Sequence, residues 1–144
     1  MERLLKGVDA TNGYAEEFLS ALERNQDRAT VVGLSGELGS GKTAFVKAIG
    51  KFLGAKEEIL SPTFVVAKFY ELSAQNWKKL VHIDAYRIEE EDEMRPIKWD
   101  EILSDKNNLV MMEWPENIKA LFPTDAPLLR FRFIDDVTRA ITLS

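Results

Sequence analysis

Gly36-Glu37-Leu38-Gly39-Ser40-Gly41-Lys42-Thr43 follows the pattern G-x-x-x-x-G-K-T, a phosphate-binding loop. Each part of the pattern has a physical task. The glycines let the backbone turn tightly, so that successive N–H groups of Leu38, Gly39, Ser40 and Gly41 can converge on an anion. A helix starting after the loop adds the positive end of its dipole. Lys42 can reach the outer phosphates of a nucleotide, and the Thr43 hydroxyl can ligate Mg²⁺.

The flanking sequence has the required order of strand, loop and helix. Thr30-Val31-Val32-Gly33-Leu34 is short, apolar and β-branched, as a buried parallel strand is. In residues 44–53, Phe45, Val46, Ile49, Phe52 and Leu53 recur at helical spacing, and Gly54 supplies a stop. A glycine-rich turn with a stray lysine does not account for this context.

Bulk properties bound the rest. The 144 residues suit one compact domain spanning residues 1–144. The composition, 45% hydrophobic and 30% charged, is that of a globular protein. No apolar run approaches a membrane span, and the first residues lack the long apolar stretch of a signal peptide. With no cysteine, disulfides and thiolate metal sites are excluded. These features lead us to expect a cytoplasmic protein. The net charge of −5, from 24 acidic and 19 basic residues, argues against a general nucleic-acid surface. Lys78/Lys79 and Arg130/Arg132 read as solvated charge.

Along the chain, residues 9–24 predict an amphipathic helix carrying Tyr14, Phe18 and Leu22, capped by Asp9 or Thr11. Pro62 marks a loop, and residues 64–72 then predict a strand. Residues 73–79 read as a polar turn. Residues 80–84 and 109–113 are apolar strands that each end in a carboxylate. In 88–104 an acidic run precedes Pro96, and a short helix is expected from Trp99. Residues 128–134 and 137–143 alternate around Asp135-Asp136, as an antiparallel hairpin does. The order predicts a three-layer α/β, P-loop NTPase-like fold with a mixed parallel and antiparallel sheet.

Hydrolysis needs a carboxylate for Mg²⁺ and a group that orients or deprotonates water. Carboxylates at the C-terminal ends of strands lie beside the crevice of an open α/β sheet. Asp84 and Glu113 have that placement. We expect Asp84 to hold Mg²⁺, directly or through water, and Glu113 to ligate the metal or polarise water. Ser61 and Thr63 divide evenly between a γ-phosphate sensor and ordinary turn residues. His82 reads as a packed residue. Arg87 either meets phosphate or pairs with the acidic run, and Trp114 either stacks on a ligand or packs.

These stretches resemble one family, the small bacterial TsaE-type ATPases of tRNA threonylcarbamoyladenosine biosynthesis. The matching pieces are the loop at 36–43, Ser61-Pro62-Thr63-Phe64, His82-Ile83-Asp84-Ala85-Tyr86-Arg87 and Glu113-Trp114-Pro115-Glu116. The resemblance implies an ATPase, using ATP and Mg²⁺, that works with the partner proteins of the threonylcarbamoyl transfer complex and contacts tRNA only indirectly. Carried over by position, it assigns Lys42 and Thr43 to phosphate and Mg²⁺, Asp84 and Glu113 to the acidic roles, and Ser61 and Thr63 to a switch-like loop. Thr11 is placed near the nucleotide. Arg95-Pro96-Ile97-Lys98-Trp99 departs from the family's Leu-Gly-type turn. The alternative class is a P-loop small-molecule or nucleotide kinase, for which 88–104 is the lid candidate. A GTPase is disfavoured, since no Asn-Lys-x-Asp stretch occurs.

Overall fold

Three apolar strands stack side by side at the centre of a computed structural model that describes residues 2–59, 66–73 and 76–144. They are β2 (Thr30–Ser35), β4 (Lys79–Asp84) and β5 (Asn108–Glu113), with β5 parallel to both others. Every residue of β2 and β5 is buried, which is why these strands read as continuous apolar runs. Around them lie β1 (Glu2–Lys6), β3 (Ala67–Glu71), β6 (Leu128–Phe133) and β7 (Thr138–Leu143), in the sheet order β1-β7-β6-β2-β5-β4-β3. β6 runs parallel to β2, whereas β1/β7, β6/β7 and β3/β4 are antiparallel. The mixed sheet is as expected.

Strand alternation sorts the core into two halves. On one face Val32, Leu34, Leu80, Leu109 and Met111 meet Phe18 of α1 (Gly7–Ala21) and Phe45, Val46 and Ile49 of α2 (Lys42–Phe52). On the other, Val31, Val81, Ile83, Val110 and Met112 pack against Met94, Trp99, Ile102 and Ile118. Those come from a 3-10 helix (Glu91–Ile97), from α3 (Trp99–Ser104) and from a second 3-10 helix (Pro115–Ile118). Helical segments thus cover both faces, giving three layers. Phe45 sits edge-on to both Phe18 and Phe131, at 5.8 and 5.6 Å between ring centroids. This joins α1, α2 and β6 into one unit.

Locally the structure adds to or departs from the expectations at several points. The first helix spans Gly7–Ala21 rather than 9–24, and neither Asp9 nor Thr11 caps it. The Gly7 N–H instead donates to the Val137 carbonyl at 2.7 Å. A backbone partner therefore meets the need that a cap serves. The Thr11 hydroxyl lies inside the helix, 3.4 Å from the Gly7 carbonyl. Strand β1 was not anticipated, because only Leu5 of its five residues is buried. Its pairing with β7 makes it a strand. The supposed polar turn at 73–79 hides Trp77, which is 2% exposed and donates from Nε1 to Thr30 Oγ1 at 3.2 Å. The third strand is described from Ala67, and residues 60–65, including Ser61 and Thr63, lie outside the described residues.

Segment 88–104 forms no single long helix, as expected, but Pro96 lies within the 3-10 helix and the break falls at Lys98, whose backbone is left-handed (φ +56°). Its acidic start is a cap: Glu93 accepts the N–H groups of Glu89 and Glu90 at 2.7 and 2.9 Å. Met94, Trp99 and Ile102 fix the segment against the sheet. Among the described residues, no helix is long and apolar enough to cross a membrane.

Candidate phosphate and metal site

The loop leaves β2 at Ser35 and enters α2 at Lys42. It requires glycine where the backbone turns left-handed, at Gly36 (φ +146°) and Gly41 (φ +105°). At Gly36 space is also lacking, because a Cβ would fall 2.4 Å from the Phe131 carbonyl oxygen. Gly36→Ala is therefore expected to destabilise the chain by about 1–3 kcal/mol. Urea denaturation checks this, and an unchanged midpoint would refute it.

The C-terminal hairpin braces the loop. The Phe133 N–H donates to Glu37 Oε1 at 2.9 Å, and Arg139 Nε donates to the Gly39 carbonyl at 3.2 Å. The Lys42 ammonium is buried inside the loop. It donates to the Gly36 carbonyl and, at 2.9 Å, to the Glu37 carbonyl. It also lies 4.6 Å from the centre of the Trp114 ring. Burial pulls its pKa down, opposed by the charges of Glu113, Asp84, Glu116 and Glu37. An anion arriving here would favour the charged ammonium by the same Coulombic route.

Asp84 and Glu113 end neighbouring parallel strands and are paired in register. Alternation puts both on the sheet face that carries α2. The Thr43 hydroxyl donates to Glu113 Oε2 at 3.1 Å, across 70 residues of sequence. Glu113 is 3% exposed and also lies 2.5 Å from Nε2 of the fully buried His82. Lys42, Thr43, Asp84, Glu113, Trp114 and Arg139 line one cavity of about 360 Å³, together with Leu38, Gly39 and Gly41 of the loop. Ser40 is buried under the loop, its Oγ 3.5 Å from Lys42 Nζ.

A second cavity of about 260 Å³ adjoins the first and shares Gly41, Ala44 and Arg139 with it. Thr11 lines this neighbour, with Val8, Asn12 and Val137. Thr11 thus stands beside the loop but away from the carboxylates.

Thr43, Asp84 and Glu113 offer hard oxygen donors, the set Mg²⁺ prefers. Among the described residues, no three His, Cys, Asp or Glu side chains form a ready-made cation cage. A Mg²⁺ ion here would therefore complete its shell with phosphate oxygens and water, as it does beside nucleotides. The residues present fit such an ion.

Burial raises the Asp84 pKa, offset first by the Tyr86 N–H, which donates to Oδ1 at 3.0 Å. The Glu113 charge raises it further, while His82 and Lys42 lower it. With the folded value above the unfolded one, the folded chain holds more protons between the two. Stability is then lost as pH rises through that window. Asp84→Asn removes the buried charge, so at pH 7 without Mg²⁺ or nucleotide it is expected to raise Tm by about 2–4 °C. No gain is expected below the unfolded value of about 4. Thermal melts followed by circular dichroism at both pH values test this, and a lowered Tm at pH 7 would rule it out.

The structure brings together every expected site residue that it describes except Thr11, which sits next door. Several other residues at the site were not assigned to it from the sequence. His82 read as packing, yet it touches Glu113. Its strand parity was the available signal, two residues before Asp84 on one face of β4. Arg139 carried no local motif, because it reaches the loop only through the hairpin. Trp114 is half-buried in a left-handed backbone conformation (φ +61°), with the Tyr86 ring centroid 5.1 Å away. Ser35 donates to Glu116 Oε2 at 2.5 Å, on the far side of the loop strand.

Comparison with known proteins adds to this geometry. The profile of the family described as threonylcarbamoyl adenosine biosynthesis protein TsaE matches residues 5–141. The chain is 32% identical to the tRNA threonylcarbamoyladenosine biosynthesis protein TsaE of Rickettsia bellii, over 99% of this chain and 94% of that one. It is also 32% identical to the protein of the same description from Aquifex aeolicus, with the same shares covered. The Synechocystis counterpart is 30% identical over 84% of this chain and 74% of that one. The crystal structure of Bacillus subtilus YdiB superposes with a TM-score of 0.72 at 22% identity, covering 99% of this chain and 83% of that one. It thereby corroborates the fold.

Proposed function

The chain belongs to the TsaE family of threonylcarbamoyl adenosine biosynthesis proteins, and on that premise we propose that it is a Mg²⁺-dependent ATPase. It converts ATP to ADP and phosphate, in complex with the proteins that transfer the threonylcarbamoyl group to tRNA. The observation that carries the reading is the contact between Thr43 and Glu113, in one cavity with Lys42 and Asp84. A residue of the phosphate loop there meets one strand-end acid, Glu113, and shares the cavity with the other, Asp84.

In this reading the loop N–H groups and Lys42 bind the β- and γ-phosphates. Thr43 and Asp84 hold Mg²⁺, which when bound neutralises charge developing on the phosphates. Glu113 orients the attacking water and accepts its proton. The adenosine end occupies the neighbouring cavity beside Thr11 and Arg139. Ser61 and Thr63 belong to this proposal through the family's switch-like loop. With a chain of net charge −5, tRNA is handled through the partner proteins. The kinase alternative is disfavoured, because Met94, Trp99 and Ile102 anchor 88–104 on the face of the sheet opposite α2.

The test follows ATP with and without the partner proteins and identifies the products. ADP and free phosphate, formed faster with partners, are expected. A phosphorylated metabolite would replace this reading with a kinase.

A further inference from the structure

His82 is the chain's one histidine, and no part of its surface is exposed. It stands opposite Met111 in the register of β4 and β5, diagonal to Glu113. Its Nε2 and Glu113 Oε2 are 2.5 Å apart. Two lone pairs at that distance would repel, so a proton lies between them. The other ring nitrogen, Nδ1, is buried without a hydrogen-bond partner among the described residues. The polar contact of the ring is therefore spent on Glu113. An apolar side chain would fill this space without leaving a buried nitrogen unpaired.

Glu113 Oε2 receives a second donor, the Thr43 hydroxyl at 3.1 Å, while Oε1 is 3.4 Å from the same hydroxyl. We infer that His82 is a positioning residue: it holds Oε2 of Glu113, so that Glu113 in turn accepts the Thr43 hydrogen bond and leaves the hydroxyl lone pairs for a cation. Oε1 is left for water. The inference rests on the ATPase reading above and adds to it a residue that never touches substrate. The physical logic is that of outer partners which orient the oxygens around a metal.

Two substitutions in the full chain separate positioning from packing. His82→Gln keeps an N–H donor on a side chain of comparable reach, whereas His82→Met fills the space without one. Binding of fluorescent mant-ADP is measured with and without Mg²⁺. In His82→Met, the affinity with Mg²⁺ is expected to fall about 10–100-fold. Without Mg²⁺ it should match the parent, and His82→Gln should recover most of the loss. Equal losses in the two variants, or none in either, overturn the inference.

A second measurement covers variants that do not fold. Proton–nitrogen spectra of the parent contain a single imidazole. Thr43→Val removes the competing donor from Oε2, so the His82 Nε2–H resonance is expected to move downfield. An unmoved resonance means that Glu113 does not link the two residues and also overturns the inference. Should the parent fail to bind the nucleotide at all, the ATPase reading falls, and the spectrum still decides the role of His82.

Discussion

Replacing Lys42 with alanine is expected to weaken ATP binding by about 10–100-fold, since a hydrogen bond to a charged group contributes about 1.5–3 kcal/mol. The ammonium sits inside the loop and donates to the Gly36 and Glu37 carbonyls; in the proposed reading it would also meet the phosphates. The buried charge is also a folding cost, so the loss of affinity should not come with a collapse in Tm. Titration calorimetry with ATP and Mg²⁺, beside a thermal melt, tests both statements. Parent-like affinity would remove Lys42 from the phosphate site. Lost affinity together with an unfolded chain would mean that the amine serves the fold.

Glu113→Gln should leave ATP affinity nearly unchanged and slow partner-stimulated hydrolysis by about 10²–10⁴-fold, the usual contribution of a positioned base. Glutamine keeps the shape, and its carbonyl oxygen can still accept from His82 and Thr43. What disappears is the negative charge that the proposed mechanism assigns to polarising water. Alanine is the poorer probe, because it would leave His82 Nε2 buried and unpaired at a cost of about 1–3 kcal/mol. Phosphate release in single-turnover experiments with the partners gives the comparison. If the glutamine variant hydrolyses ATP as fast as the parent, the catalytic base lies elsewhere.

Legibility from the sequence followed the range of the signal. The loop, its strand and its helix are contiguous, and local spacing was enough to read them. Asp84 and Glu113 were readable because each closes an apolar run, and parallel strands bring such ends together. That they are register partners became visible only once β4 and β5 were paired. Strand β1 escaped because its burial is one residue deep, so no alternation could mark it. Trp77 escaped because its neighbours are polar, although its own ring is almost fully buried. Arg139 and the Phe133 amide act on the loop from 100 and 96 residues away. Nothing local to either position announces such a contact.

That long reach has a consequence for how the protein comes into being. β2 carries the loop near the front of the chain, but its two sheet neighbours, β5 and β6, come from the back half. During synthesis, which runs from the N-terminus at about 5–20 residues per second, the glycine-rich segment emerges long before its braces. It gains its shape only when Phe131, Phe133 and Arg139 have followed and docked. The loop's final shape is thus set late in folding, and a chain cut short before Leu128 would carry the full motif without the strand and hairpin contacts that brace it.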